Sequence, residues 1–208
     1  MIWLESLLDE LSKTGLCYSD SALSLSQRTN WLQVLKQHQE QKLFRPASIG
    51  RESTLQNNSA IRNDEISWLE PARAGDAAIL TELDQWRRSL NESLFLSTRT
   101  IEAHFAHYDP GHFYRRHKDR FDSQNSRVLT FVAYLHSDWK NGDGGELVVN
   151  DGDTDLVRQI IQPLPGRVVI FRSDDIWHEV RKSNFERFSL TGWFRYDAGP
   201  FTRSSSAN

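Results

Sequence analysis

His117-Lys118-Asp119 is the first run whose chemistry depends on spacing. In an extended segment residues i and i+2 project to the same side, so both side chains can reach one metal ion. His-x-Asp is common by chance, and the pair becomes a site only with a further ligand. His178 supplies one, 61 residues later in a strand-like segment. Two histidines and one carboxylate make the facial set of a non-haem Fe(II) site, with positions left open for a bidentate oxo-acid and then O2. Arg187 follows His178 by nine residues and opens an alternating strand that places Arg187, Ser189, Thr191 and Trp193 on one face. A buried guanidinium is a planar fork that binds a carboxylate through two bonds. Thr191 and Ser189 could add hydroxyl donors. Tyr134, on the face of its strand shared with Thr130 and Val132, could donate its phenol to the same acid. A dicarboxylate would then be held by a metal at one end and by Arg187 at the other.

Positioning these residues requires a rigid sheet. From Thr100 onward the hydrophobic period is two. Strands are expected over Thr100–Tyr108, Phe113–His117, Arg127–His136, Gly145–Asn150, Leu156–Pro163, Arg167–Phe171, His178–Lys182 and Arg187–Tyr196, separated by Gly, Pro, Asn and Asp turns. About eight short strands so spaced suggest a sandwich or jelly roll. Arg127–His136 is apolar on both faces, and such a sheet needs a cover. Three amphipathic helices can supply it: one through Leu4, Leu7, Leu8 and Leu11, one over about Ser26–Lys42, and one carrying Ile79, Leu83, Trp86, Leu90 and Leu94 with Asp76 as N-cap. A short strand is expected within Ile61–Leu69. The expected architecture is mainly β with N-terminal helices packed on one sheet. It forms a single catalytic domain over 1–208: helical support over 1–99, a β core over 100–196 and a frayed polar tail over 202–208.

The 208 residues carry 25 basic and 28 acidic side chains, a net charge of −3, which gives no bulk electrostatic case for nucleic acid or an anionic membrane. No stretch approaches the roughly 18 apolar residues of a membrane span. The acidic, leucine-rich start is no secretion signal. One cysteine, Cys17, excludes an intramolecular disulfide framework and a cysteine zinc site, and fits a reducing compartment. A cytoplasmic protein is expected. The remaining candidates read as scaffold. His38, His104 and His107 are structural or surface residues, and His112 and His136 lie near turns and are expected to be solvated. Asp151 to Asp155 mimics a calcium loop but has Leu156 where glycine is needed and Gln162 where glutamate is needed. Arg115, Arg116 and Lys118 form an exposed basic face.

Most of the chain resembles the Fe(II)/2-oxoglutarate dioxygenases, and within them the prolyl hydroxylases related to the animal oxygen-sensing enzymes. The resemblance rests on Ile61 to Trp68, Tyr108-Asp109-Pro110-Gly111, Tyr114 to Asp119, Arg127-Val128-Leu129-Thr130, Tyr134-Leu135, Asp138-Trp139, Asp143 to Leu147, Pro163 to Arg167, His178-Glu179-Val180 and Arg187 to Phe194. It implies a double-stranded β-helix (jelly roll, cupin-like), with Fe(II) on His117, Asp119 and His178. It also implies 2-oxoglutarate on Arg187 and Tyr134, helped by Thr191, and a substrate entrance lined by Tyr108, Arg127 and Trp193. Gly50–Ala60 falls where the family has a mobile loop that closes over a peptide. The implied reaction hydroxylates a prolyl residue of a protein as 2-oxoglutarate and O2 give succinate and CO2, with ascorbate as a candidate reductant. The implied partner is a protein with a target proline, elongation factor Tu among the candidates, and a monomer is expected. Two alternatives stand beside this reading. One is an oxygenase with another target, such as a free amino acid or a peptide natural product. The other is a non-enzymatic cupin-like sensor, although such proteins usually lose a ligand or the arginine.

Overall fold

The computed structural model describes residues 2–47, 58–119 and 126–196. Most of the Gly50–Ala60 loop and the whole 202–208 tail lie outside the described residues. Helix α1 (Ile2–Thr14) is followed by the short strand β1 (Leu16–Ser19), helix α2 (Leu25–Glu40), the short strands β2 (Arg45–Pro46) and β3 (Glu65–Trp68), and helix α3 (Ala74–Leu94). Then come β4 (Thr100–Tyr108), β5 (Tyr114–His117), β6 (Arg127–Tyr134), β7 (Leu147–Asn150), β8 (Val157–Ile161), β9 (Val168–Arg172), β10 (His178–Val180) and β11 (Arg187–Arg195). They form a seven-stranded sheet in the order β1-β9-β6-β11-β4-β3-β2 and a four-stranded sheet in the order β5-β10-β7-β8. The pairing throughout both is antiparallel.

The doubly apolar β6 has a physical reason. Leu129, Phe131 and Ala133 face the helices, packing with Trp31, Leu35, Ile79, Leu83 and Trp86. Val132 and Tyr134 face the other sheet, packing with Leu147, Val149, Ile161 and Val180. The large sheet thus has a core on each side, and the second core lies between the sheets. β11 runs between β4 and β6. Gly192 permits this close approach, since a Cβ there would stand 2.6 Å from the Glu102 carbonyl oxygen and from the Phe131 ring.

Two local expectations are corrected. Asp76 is not the N-cap of α3; Arg73 is, without a side-chain cap bond. Asp76 sits in the first turn, fully buried, and accepts from the Glu70 backbone N–H (2.8 Å), Arg73 Nε (2.7 Å) and His38 Nε2 (2.8 Å). A buried carboxylate must be matched by donors, and here they come from three places. His38 Nδ1 meets Ser67 Oγ at 2.8 Å, so one buried chain of polar groups ties α2, α3 and β3 together. His136 is not solvated: it is 5% exposed, and its Nε2 donates to the Pro163 carbonyl. Burial pushes its imidazole down to about 4. The strands β1 and β2 go unannounced by periodicity because they are four and two residues long.

Candidate active site

His117 on β5 and His178 on β10 are direct partners in the ladder of the small sheet. Asp119 lies two residues beyond His117. His117 Nε2 is 3.6 Å from Asp119 Oδ1 and His178 Nε2 is 3.8 Å from Oδ2. One ligand atom from each residue lies within 4.8 Å of the others, and the three side chains are 7–10% exposed. Each imidazole is oriented from behind. His117 Nδ1 donates to the Arg115 carbonyl (2.8 Å) and His178 Nδ1 to the Ile176 carbonyl (3.1 Å). That tautomer leaves both Nε2 lone pairs facing the carboxylate, as metal ligation requires. Tyr114 stacks on His117 at 3.6 Å and Phe171 meets His178 edge-on at 4.7 Å, which fixes the ring planes. The Thr130 hydroxyl donates to Asp119 Oδ2 at 2.7 Å and lies 2.9 Å from Ser173 Oγ.

Electrostatics agree with the geometry. Burial alone would raise the Asp119 carboxyl, but His178, His117 and Arg127 outweigh it and hold it well below the usual range. Burial and the neighbouring His117 push His178 down to about 4. His178 thus presents a neutral nitrogen and Asp119 a carboxylate, and with the His117 imidazole they make the two-nitrogen, one-carboxylate donor set of a non-haem Fe(II) site.

A second group of polar atoms lies at the start of β11. Arg187 is 2% exposed, with its guanidinium over the rings of Tyr108 (4.7 Å) and Tyr134 (4.9 Å). Its Nη1 is 3.5 Å from Ser189 Oγ, which is 3.5 Å from Thr191 Oγ1. The register sets Ser189 opposite Tyr134. Arg187 Nε and the Tyr134 hydroxyl are both buried and have no hydrogen-bond partner among the described residues. Buried donors are rarely left so, and two beside one guanidinium fit a carboxylate supplied from outside the chain. Burial raises the Tyr134 phenol, keeping it a donor. Gly145, at φ +72°, presses against the arginine: a Cβ there would meet Arg187 Cδ at 2.9 Å and Ser183 Oγ at 3.1 Å.

Of the remaining predicted residues, Tyr108 adjoins this pocket, whereas Arg127 and Trp193 lie farther along β6 and β11, toward Thr130 and Asp119. Tyr108 is 4% exposed and carries Arg187 on its ring. Arg127 lies over the Trp193 ring at 3.5 Å and donates to Glu102 Oε1 at 2.9 Å. Trp193 also packs on His104 and Trp68, and its buried indole N–H has no partner among the described residues. The basic run is not simply solvated. Arg116 bonds the Asp153 and Thr154 carbonyls, and Arg116 and Lys118 both lie over Trp177. Sequence reasoning gave no role to Thr130, although it shares the face of Tyr134. Nor did it assign one to Arg62 and Asp64. Arg62 pairs with the fully buried Asp64 through two bonds (2.8 and 2.6 Å) and lies over the Tyr114 ring at 4.2 Å. The i, i+2 spacing of opposite charges in an extended segment was the available signal.

The family model of the 2OG-Fe(II) oxygenase superfamily matches residues 103–195. The chain is 25% identical over 205 residues to the mouse prolyl hydroxylase EGLN3, covering 95% of this chain and 84% of that one. It is similar to the crystal structure of a Pseudomonas putida prolyl-4-hydroxylase, with 33% identity, TM-score 0.80 and coverage of 94% of this chain and all of the other. It is also similar to a Trichoplax adhaerens prolyl hydroxylase solved with a hypoxia inducible factor peptide, at 25% identity, TM-score 0.78 and coverage of 97% and 92%.

Proposed function

The chain belongs to the 2OG-Fe(II) oxygenase superfamily, among its prolyl hydroxylases, and from that premise we infer that it hydroxylates a prolyl residue of a protein substrate. O2 contributes one oxygen atom to the substrate C–H bond and one to 2-oxoglutarate, which leaves as succinate and CO2. The observation that carries the residue assignment is the meeting of two arrangements in one fold. One is a buried His-Asp-His set with both Nε2 atoms turned to the carboxylate; the other is a buried arginine–tyrosine pair in which Arg187 Nε and the Tyr134 hydroxyl have no partner among the described residues.

In this reading His117, Asp119 and His178 hold Fe(II), which supplies the redox chemistry that activates O2 when bound. Thr130 holds Asp119 in place, and the two backbone carbonyls hold the imidazoles. Arg187 and Tyr134 receive the far carboxylate of 2-oxoglutarate, with Ser189 and Thr191 adding hydroxyls beside it. These residues position and desolvate, and no side chain has to transfer a proton. Tyr108, Arg127 and Trp193 line the approach for the protein substrate.

Elongation factor Tu is the substrate to try first, on the resemblance to bacterial prolyl hydroxylases. The reading extends to a monomer acting in the cytoplasm, supported there by a single cysteine that is buried. Ascorbate would keep the metal reduced, and dependence on O2 would make the modification oxygen-responsive. The test is incubation of the protein with Fe(II), 2-oxoglutarate and a cell lysate, followed by mass spectrometry. Succinate release coupled to one added oxygen on a proline is expected. Loss of both in His117→Ala and Asp119→Ala is expected too, and normal turnover in either variant removes that residue from the metal site. Succinate release coupled to oxygen on a non-prolyl target would overturn the substrate class.

A further inference from the structure

His107 lies on the helix-facing side of β4, opposite to Tyr108 and the arginine pocket. Its ring is fixed by stacking on Phe188 (4.7 Å, 18°), with Phe44 edge-on at 6.1 Å. β4 and β11 pair as far as Tyr108 opposite Arg187. Asp109 follows β4 and Glu186 precedes β11, which brings two carboxylates to one end of the ladder. Like charges so placed repel unless a cation stands between them.

His107 Nε2 points into this gap, 3.4 Å from Asp109 Oδ1 and 3.3 Å from Glu186 Oε1. Neither contact is a hydrogen bond: Nε2 is buried and has no hydrogen-bond partner among the described residues. Behind the ring, Glu65 Oε2 is 4.0 Å from Nδ1, on the side where a metal-bound imidazole directs its other N–H toward a carboxylate. One ligand atom from each of His107, Asp109 and Glu186 lies within 4.8 Å of the others.

We propose that His107, Asp109 and Glu186 form a second divalent-cation site, of the zinc class, separate from the His117-Asp119-His178 site. One nitrogen and two oxygens, with a fourth position for water, suit Zn(II). Calcium and magnesium prefer oxygen-only sets. An ion there cancels the repulsion between the two carboxylates and ties the ends of β4 and β11 together beside Tyr108 and Arg187. Because the two ligand sets do not share a residue, they can be removed independently.

The test uses the full chain carrying His117→Ala and Asp119→Ala, titrated with Zn(II), with bound metal counted after desalting and thermal unfolding followed in parallel. One retained equivalent and a raised unfolding temperature are expected. Adding His107→Gln or Glu186→Gln should abolish both effects. Glu186 is 58% exposed, so its substitution leaves the fold unthreatened. No zinc retained in the first variant, as for a plain ion pair of charged His107, would overturn the proposal. So would zinc that survives both additional substitutions.

Discussion

Arg187 Nε and the Tyr134 hydroxyl are polar atoms that the described chain buries without satisfying. Such atoms cost folding free energy, so their retention is explained by a ligand that completes them. Arg187→Ala is expected to weaken 2-oxoglutarate binding by about 2–5 kcal/mol, because the acid's far carboxylate would be left buried without its partner. Tyr134→Phe removes one hydrogen bond and should cost about 1 kcal/mol. Anaerobic titration with Fe(II) present measures both, and unchanged affinity in Arg187→Ala would take that residue out of the site. The residue scale was legible because the spacing rules are local. His117 and Asp119 share a side by alternation, and Arg187, Ser189 and Thr191 do the same on β11. Thr130 was not singled out. Its hydroxyl matters only because the chain returns Asp119 to within 2.7 Å of it, eleven positions away.

At the scale of elements, the buried contact of His38 with Asp76 joins two helices and, through Ser67, a strand. Asp76→Ala would remove the acceptor that matches Arg73, His38 and the Glu70 N–H. A loss of about 3 kcal/mol or more is expected, read from urea unfolding. A loss below about 1 kcal/mol would show that these helices are held by their apolar faces alone. This contact also marks the limit of local patterns. Gly75-Asp76 ahead of an apolar repeat looks like a helix cap, and only the arrival of His38 from α2 reveals a buried link. The strands of the core were legible because alternation persists for several residues in most of them. The two-core arrangement was legible from β6, whose both faces are apolar. β1 needed the partner strand β9 to define it, since four residues carry too little pattern.

For the whole molecule, burial pushes His104, His136 and His178 from their ordinary value near 6.5 down to about 4. Between these limits the unfolded chain takes up protons that the folded chain refuses. Stability is therefore unaffected above about pH 6.5 and falls as pH drops toward 4, by up to about 1.4 kcal/mol per pH unit for each histidine. Metal-free protein should show a lower urea midpoint near pH 5 than near pH 7, on the order of several kcal/mol in all. Equal midpoints would contradict neutral, buried imidazoles. The same neutrality keeps the His178 nitrogen available to a metal across the physiological range.

The most direct test of the central claim is anomalous X-ray scattering at the iron edge from crystals grown anaerobically with Fe(II) and 2-oxoglutarate. The account predicts one iron peak among His117 Nε2, His178 Nε2 and the Asp119 carboxylate, with the far carboxylate of the acid on Arg187 and Tyr134. Iron bound elsewhere, or an acid whose far end turns away from Arg187, would contradict it.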